Sequence, residues 1–251
     1  MRQALNLIIV IAICSLQCSK NAASPASAYA SPSTSGQGGS LARFTIVGNY
    51  LYTVDDQKLN VFDLTNGASP ELRNTVAVGF EIETIFPFKD RLFIGSTSVV
   101  HIFSISDPLN PKKLSEAISP QMLRRCDPVV AKDTVAFATL RSSGPCGGIQ
   151  SILAVYDIKD ITRPVQKAFY PVNEPYGLGY WNDVLYVCDR SGLLVFDISQ
   201  PYKPLLLKTI TGGSYVDVIP YSDMLICWVR DGIVLYDITN NQEPVLLAKI
   251  I

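Results

Sequence analysis

A chain of 251 residues, 48% apolar and 17% charged, can bury a sizeable core, which excludes wholesale disorder. Its formal net charge of −1 provides no basic stripe to neutralise phosphates, which excludes nucleic acid as the main partner.

The N-terminal stretch MRQALNLIIVIAICSLQC has Arg2 as its only charge and an apolar run from Ala4 to Leu16, too short to span a bilayer comfortably. It ends at Cys18. SLQC resembles a loose bacterial lipoprotein signal, with Ser15 where Leu is usual and Gln17 where a small residue is usual. That resemblance implies cleavage before Cys18 and lipidation of its thiol. Cys14 is the competing acceptor, and an ordinary cleaved signal without lipid is the alternative. Residues 19–40, SKNAASPASAYASPSTSGQGGS, are Ser, Ala, Gly and Pro with almost nothing to bury, so they read as a tether. Taken as a coil, it holds the folded part about 25 Å from its anchor.

From residue 41 to 251 one phrase recurs: VFDLTNGASP (61–70), IFSISDPLNP (102–111), VYDIKDITRP (155–164), VFDISQPYKP (195–204) and LYDITNNQEP (235–244). Asp63, Ser104, Asp157, Asp197 and Asp237 share one position, and a proline follows each seven residues later. Successive copies lie 41, 53, 40 and 40 residues apart, a period that signals a repeat architecture. Within a copy every segment reads as strand. YGLGYW (176–181), DVLYVCD (183–189), GLLVFDIS (192–199) and PLLLKTIT (204–211) are short, apolar and bounded by turn residues. Four strands per repeat is the content of one propeller blade, so the fold class is all-β, a β-propeller of five four-stranded blades. The Asp ends a strand buried on both faces and holds the following turn through its carboxylate. The Pro opens the outermost strand, an edge where a missing N–H does no harm.

LLVFDIS, ILAVYDIK and IVLYDIT, with CDPVVA (126–131) and NEPYGLGY (173–180), resemble the LVIVD-repeat family of bacterial β-propeller proteins. The resemblance covers the folded part and implies an exported, often lipid-anchored propeller. It implies no reaction.

Blade 3 is the irregular one. A turn residue (Asn49, Asp90, Asp133, Asp183, Asp223) precedes the phrase position by 14, 14, 24, 14 and 14, which puts ten extra residues in RSSGPCGGIQ (141–150). Cys126, at the start of the innermost strand, and Cys146, in the insert, come to one face and are expected to form a disulfide in an oxidising compartment, two free buried thiols being the alternative. Such a bond, closing a loop of about twenty residues, stabilises by roughly 3 kcal/mol. Cys188 and Cys227 read as buried thiols.

Counting six back from each turn residue gives Arg43, Thr84, Asp127, Gly177 and Asp217, expected at one level of a solvated channel. Arg43, Asp127 and Asp217, rimmed by Arg124, Arg125, Glu174 and Tyr176, form the candidate ligand site. The single histidine, His101, reads as structural, and the absence of CxxC and G-x-S-x-G motifs predicts no metal, no cofactor and no serine nucleophile. The expected function is a binding or interaction module in the cell envelope, lipid-anchored at the outer membrane and facing periplasm or exterior, whose partner is an envelope protein or polymer. An envelope hydrolase or lyase with an acidic site at the channel mouth is the alternative.

Overall fold

The computed structural model describes residues 38–97, 99–120, 126–142 and 150–250. These form twenty strands in five antiparallel sheets, each built from four consecutive strands. Blade 1 is β1 (Phe44–Val47), β2 (Tyr50–Val54), β3 (Lys58–Asp63) and β4 (Glu71–Ala77); blade 2 is β5 (Ile82–Phe88), β6 (Arg91–Ser96), β7 (Val99–Ser104) and β8 (Lys112–Ile118). Blade 3 is β9 (Cys126–Lys132), β10 (Val135–Leu140), β11 (Ser151–Asp157) and β12 (Val165–Val172). Blade 4 is β13 (Leu178–Trp181), β14 (Val184–Asp189), β15 (Gly192–Asp197) and β16 (Leu205–Ile210); blade 5 is β17 (Tyr215–Tyr221), β18 (Met224–Val229), β19 (Gly232–Asp237) and β20 (Val245–Ile250). The fold is the expected five-bladed, all-β propeller.

The repeated phrase does the local work expected of it. Asp63, Asp157, Asp197 and Asp237 each accept the backbone N–H two residues on, at 2.8, 3.0, 2.7 and 2.7 Å. The Thr65 and Thr239 hydroxyls on Asp63 and Asp237, with these backbone bonds on all four, hold the carboxyls below the usual carboxylate range. In blade 2, Ser104 makes the same turn with a longer bond of 3.2 Å. Pro70, Pro111, Pro164, Pro204 and Pro244 each stand immediately before the outermost strand. All five outer strands then carry a register shift one or two residues before the phrase position. A bulge there twists the exposed edge away from pairing with another chain.

Side chains of successive blades interdigitate in four cores, one each between blades 1 and 2, 2 and 3, 3 and 4, and 4 and 5. The second strand alternates its faces as a strand must: Tyr52 and Val54 of blade 1 meet Leu92 and Ile94 of blade 2. Cys188 and Cys227, which face opposite sides of their own blades, meet in the core between blades 4 and 5 as free buried thiols. His101 is buried with Nδ1 3.1 Å from Glu116, in keeping with a structural role.

Each hairpin joining a blade's first two strands has a two-residue turn whose first residue is left-handed: Gly48, Lys89, Asp133, Asn182 and Ser222, with φ between 52° and 58°. This corrects the register of blade 3. Val135 pairs with Lys132, as Tyr50 pairs with Val47, so the partner of Asn49, Asp90, Asp183 and Asp223 is Thr134 and not Asp133. Counted from Thr134, Pro128 stands at the level of Asp217, and Asp127 lies one residue nearer the channel mouth. The insert is correspondingly nine residues, not ten.

Candidate functional site

Among the described candidate residues, Arg43, Glu174, Tyr176 and Asp217 lie toward the end of the channel where the chain enters each innermost strand. Glu174 is left-handed (φ 47°) just before blade 4, and its carboxylate pairs with Arg190 at 3.0 Å. Asp189 behind them accepts the N–H groups of Asn173 at 2.6 Å and Ser191 at 2.8 Å, which fixes the loops on both sides. Tyr176 is held through its backbone, donating to Cys188 O at 2.8 Å and accepting Thr139 Oγ1 at 3.0 Å. The Arg141 guanidinium stacks 3.9 Å over the Tyr176 ring while its Nε donates to Pro175 O at 2.9 Å. Glu174, Tyr176, Asp189, Arg190 and Arg230 line a hollow of about 450 Å³ between blades 4 and 5. Arg141 also lines a second hollow of about 610 Å³ with Arg43, Asp56, Glu81, Glu83 and Thr97. Arg141 therefore stands between the two.

Arg43 and Asp217 do not meet across an open channel. Arg43 donates to the backbone carbonyls of Ile82 and Glu83, tying blade 1 to blade 2. Asp217 is buried beneath residues 39–41. Its Oδ1 accepts Ser40 Oγ at 3.1 Å and Val218 N at 2.9 Å, and its Oδ2 accepts Leu41 N at 3.2 Å. Ser40 Oγ in turn accepts Leu178 N at 2.7 Å, and Ala42 O accepts Ile85 N at 2.9 Å. The segment thus crosses the axis and reaches blades 2, 4 and 5. Burial pushes the Asp217 carboxyl up to about 6 despite its donors. The expected solvated funnel is stoppered at this level. Its physical reason is the small size of Gly39 and Gly177: a Cβ on either would lie 2.0 Å from an Asp217 carboxylate oxygen.

The side chain of Asp127 lies outside the described residues, as do Arg124, Arg125, Cys146 and Cys18, and the side chain of Cys126. Sequence reasoning missed Asp189, Arg190 and Arg230. It also missed a cavity of about 560 Å³ at the other end of the channel, walled by Phe86, Phe88, Tyr180 and Trp181 with Lys89 and Lys132 beside them. The signal was present in FPFKD and GYWND, where aromatics stand just before the hairpin turn.

Two segments, residues 38–78 and 182–211, match the family described as LVIVD repeat. The matched segments are blade 1 with the stopper that precedes it, and most of blade 4. No curated protein matches the sequence. Solved structures similar to this chain include a functionally unknown protein from Desulfotomaculum acetoxidans, at 14% identity over 80% of this chain and 65% of that one, TM-score 0.64. The periplasmic gluconolactonase PpgL of Pseudomonas aeruginosa is similar at 12% identity over 80% and 67%, TM-score 0.60. AztD from Citrobacter koseri is similar at 13% identity over 79% and 58%, TM-score 0.53. The likeness is one of fold. The chain spans 58% to 67% of the length of these three proteins.

Proposed function

We propose that this chain is an exported, lipid-anchored propeller that acts as a binding module in the cell envelope, presenting the strand-entry rim to another envelope protein or polymer. The observation that carries this reading is the stopper. Residues 39–41 cover Asp217, so the groups open to a partner at this end are those of the rim: Arg43, Glu174 and Tyr176 with Arg141, Arg190 and Arg230. Charges of both signs held in fixed places around two hollows suit orientation and selection of a complementary surface. In this reading the insert of blade 3 (141–150) and the residues Arg124, Arg125 and Asp127 of its entry segment, tied by a Cys126–Cys146 disulfide, belong to the same module. The resemblance of SLQC to a lipoprotein signal supports lipidation of Cys18 and, with it, the envelope address.

The alternative, a hydrolase or lyase using Asp127, Asp217 and Arg43 at the channel mouth, gains less support. A general acid must reach the atom it protonates, and Asp217 is occupied by three donors of its own chain. Capture from detergent-solubilised envelopes tests the binding reading. Arg43→Glu combined with Glu174→Arg should reduce the recovered partner at least tenfold, and an unchanged partner list would sink the rim. Turnover in a substrate screen that is lost on Asp217→Asn would favour the enzyme instead.

A further inference from the structure

Four blade pairs share cores, and among the described residues blade 5 and blade 1 share none. The residues that would form that core are nevertheless present. Ile226 occupies the position of Tyr52, Phe93, Phe137 and Tyr186, none more than 1% exposed, yet Ile226 is only half-buried. Trp228 stands where Val54, Gly95, Thr139 and Cys188 are buried, and it is 52% exposed. Ile233 and Leu235 of β19 are likewise half-open, although the matching pairs, such as Leu193 and Val195, are fully buried. On blade 1, Phe44 is 60% exposed where Ile85, Val129, Leu178 and Val218 are 1% or less. Leu51 and Phe62 beside it are half-buried, with Thr53 and Asn60 at positions that are mostly apolar elsewhere.

The two faces are the two halves of one interface, and the chain builds that interface four times in the same register. At the axis Gly39, Ser40 and Leu41, which lead into blade 1, stand on Asp217 of blade 5, while the two faces themselves share no core among the described residues. The solved propellers on which the chain superposes contain more polypeptide than its five blades supply, because it spans only 58% to 67% of them. We propose that the seam is an interaction surface for a second copy of this chain, with blade 5 of one copy seated on blade 1 of the next. The contact continues the cores already present between blades 4 and 5 and between blades 1 and 2. Trp228 is its anchor, a large rigid side chain at the centre of an apolar patch. Thr53 and Asn60 keep the receiving face wettable until it is covered. Such a contact is heterologous, each copy offering a different face.

Sedimentation velocity of the full mature chain in detergent, across a hundredfold range of concentration, tests this. The wild type should self-associate, and Trp228→Asp or Phe44→Asp should each weaken association about 30-fold or more. Both positions are already exposed, so folding should survive, which circular dichroism checks. An equimolar mixture of the two variants should form a one-to-one dimer and nothing larger, because the first keeps an intact blade 1 face and the second an intact blade 5 face. Failure of the mixture to associate when the wild type does would overturn the head-to-tail contact. A wild type that stays monomeric throughout would overturn the second copy as occupant. In a Trp181→Phe background, quencher-protected Trp228 emission in that monomer would identify closure of the ring on itself. Should either Asp variant misfold, Trp228→Ser and Phe44→Ser carry the same test.

Discussion

Asp217 gives the most direct physical test of the stopper. Its carboxyl is raised from 3.8 to about 6 because burial outweighs the donors from Leu41, Val218 and Ser40. A group whose folded value is raised binds its proton more tightly in the folded state, so the stability it contributes is complete below about 3.8 and is lost as pH rises through about 6. The difference corresponds to roughly 3 kcal/mol. The turn carboxylates Asp55, Asp63, Asp157, Asp197 and Asp237 are lowered, and their contribution runs the other way, fading as pH falls. Total stability therefore mixes opposing slopes. Subtracting Asp217→Asn, which cannot titrate at that position, isolates the one group. Denaturant unfolding at half-unit steps from pH 4 to 7.5 should show the wild type losing about 2.5 of those 3 kcal/mol relative to the variant, with the steepest change between pH 4 and 6. In thermal unfolding the full difference of about 3 kcal/mol is roughly 6–12 °C for a chain of this size. A difference flat to within about 0.5 kcal/mol across that window would show that Asp217 is solvated and that residues 39–41 do not cover it.

Gly177→Ala would place a Cβ 2.0 Å from Asp217 Oδ1 and 2.9 Å from its Cα. It should cost about 1–3 kcal/mol, read from the denaturant midpoint, while Gly67→Ala, which meets nothing within 4 Å, serves as control. Asp197→Ala removes the 2.7 Å bond from Ser199 N and should lower stability by about 1 kcal/mol, with Asp197→Asn restoring most of it. Mass spectrometry of the N-terminal peptide from isolated membranes should find Cys18 acylated; an unmodified, soluble terminus would refute the anchor.

The architecture was legible because its signals are local and repeated. A carboxylate that caps a turn and a proline that opens an edge strand act within ten residues, so their chemistry can be read in sequence order. The channel was less legible. In AKDTVAF the acid Asp133 resembles the acids of KD, ND and SD in the other blades, yet strand pairing makes it the first turn residue and Thr134 the second. Either residue suits that turn, so only the ladder fixes the register, and a shift of one moved Asp127 off the level of Asp217. The stopper was hidden for another reason. GGSL reads as the end of a tether because its residues bury little by themselves. What orders it is a carboxylate 177 residues away, whose fit depends on the absence of side chains at Gly39 and Gly177.

A propeller resembles a repeat array in that each blade draws its stability from its neighbours. In an open array the two ends carry the cost of unburied faces, and terminal repeats ordinarily answer with polar residues. Blade 1 does so in part, through Thr53 and Asn60. Blade 5 does not, leaving Ile226, Trp228, Ile233 and Leu235 at the positions that form cores elsewhere. Exposed apolar surface of this kind gains free energy from any partner that removes it from water. A partner that binds only the folded array also stabilises that array by mass action. Assembly at the seam would therefore stabilise both terminal blades, each packed on one side only, and blade 5 most because its open face is the more apolar, while the latch of Ser40 and Leu41 on Asp217 holds its inner strand in place before the partner arrives.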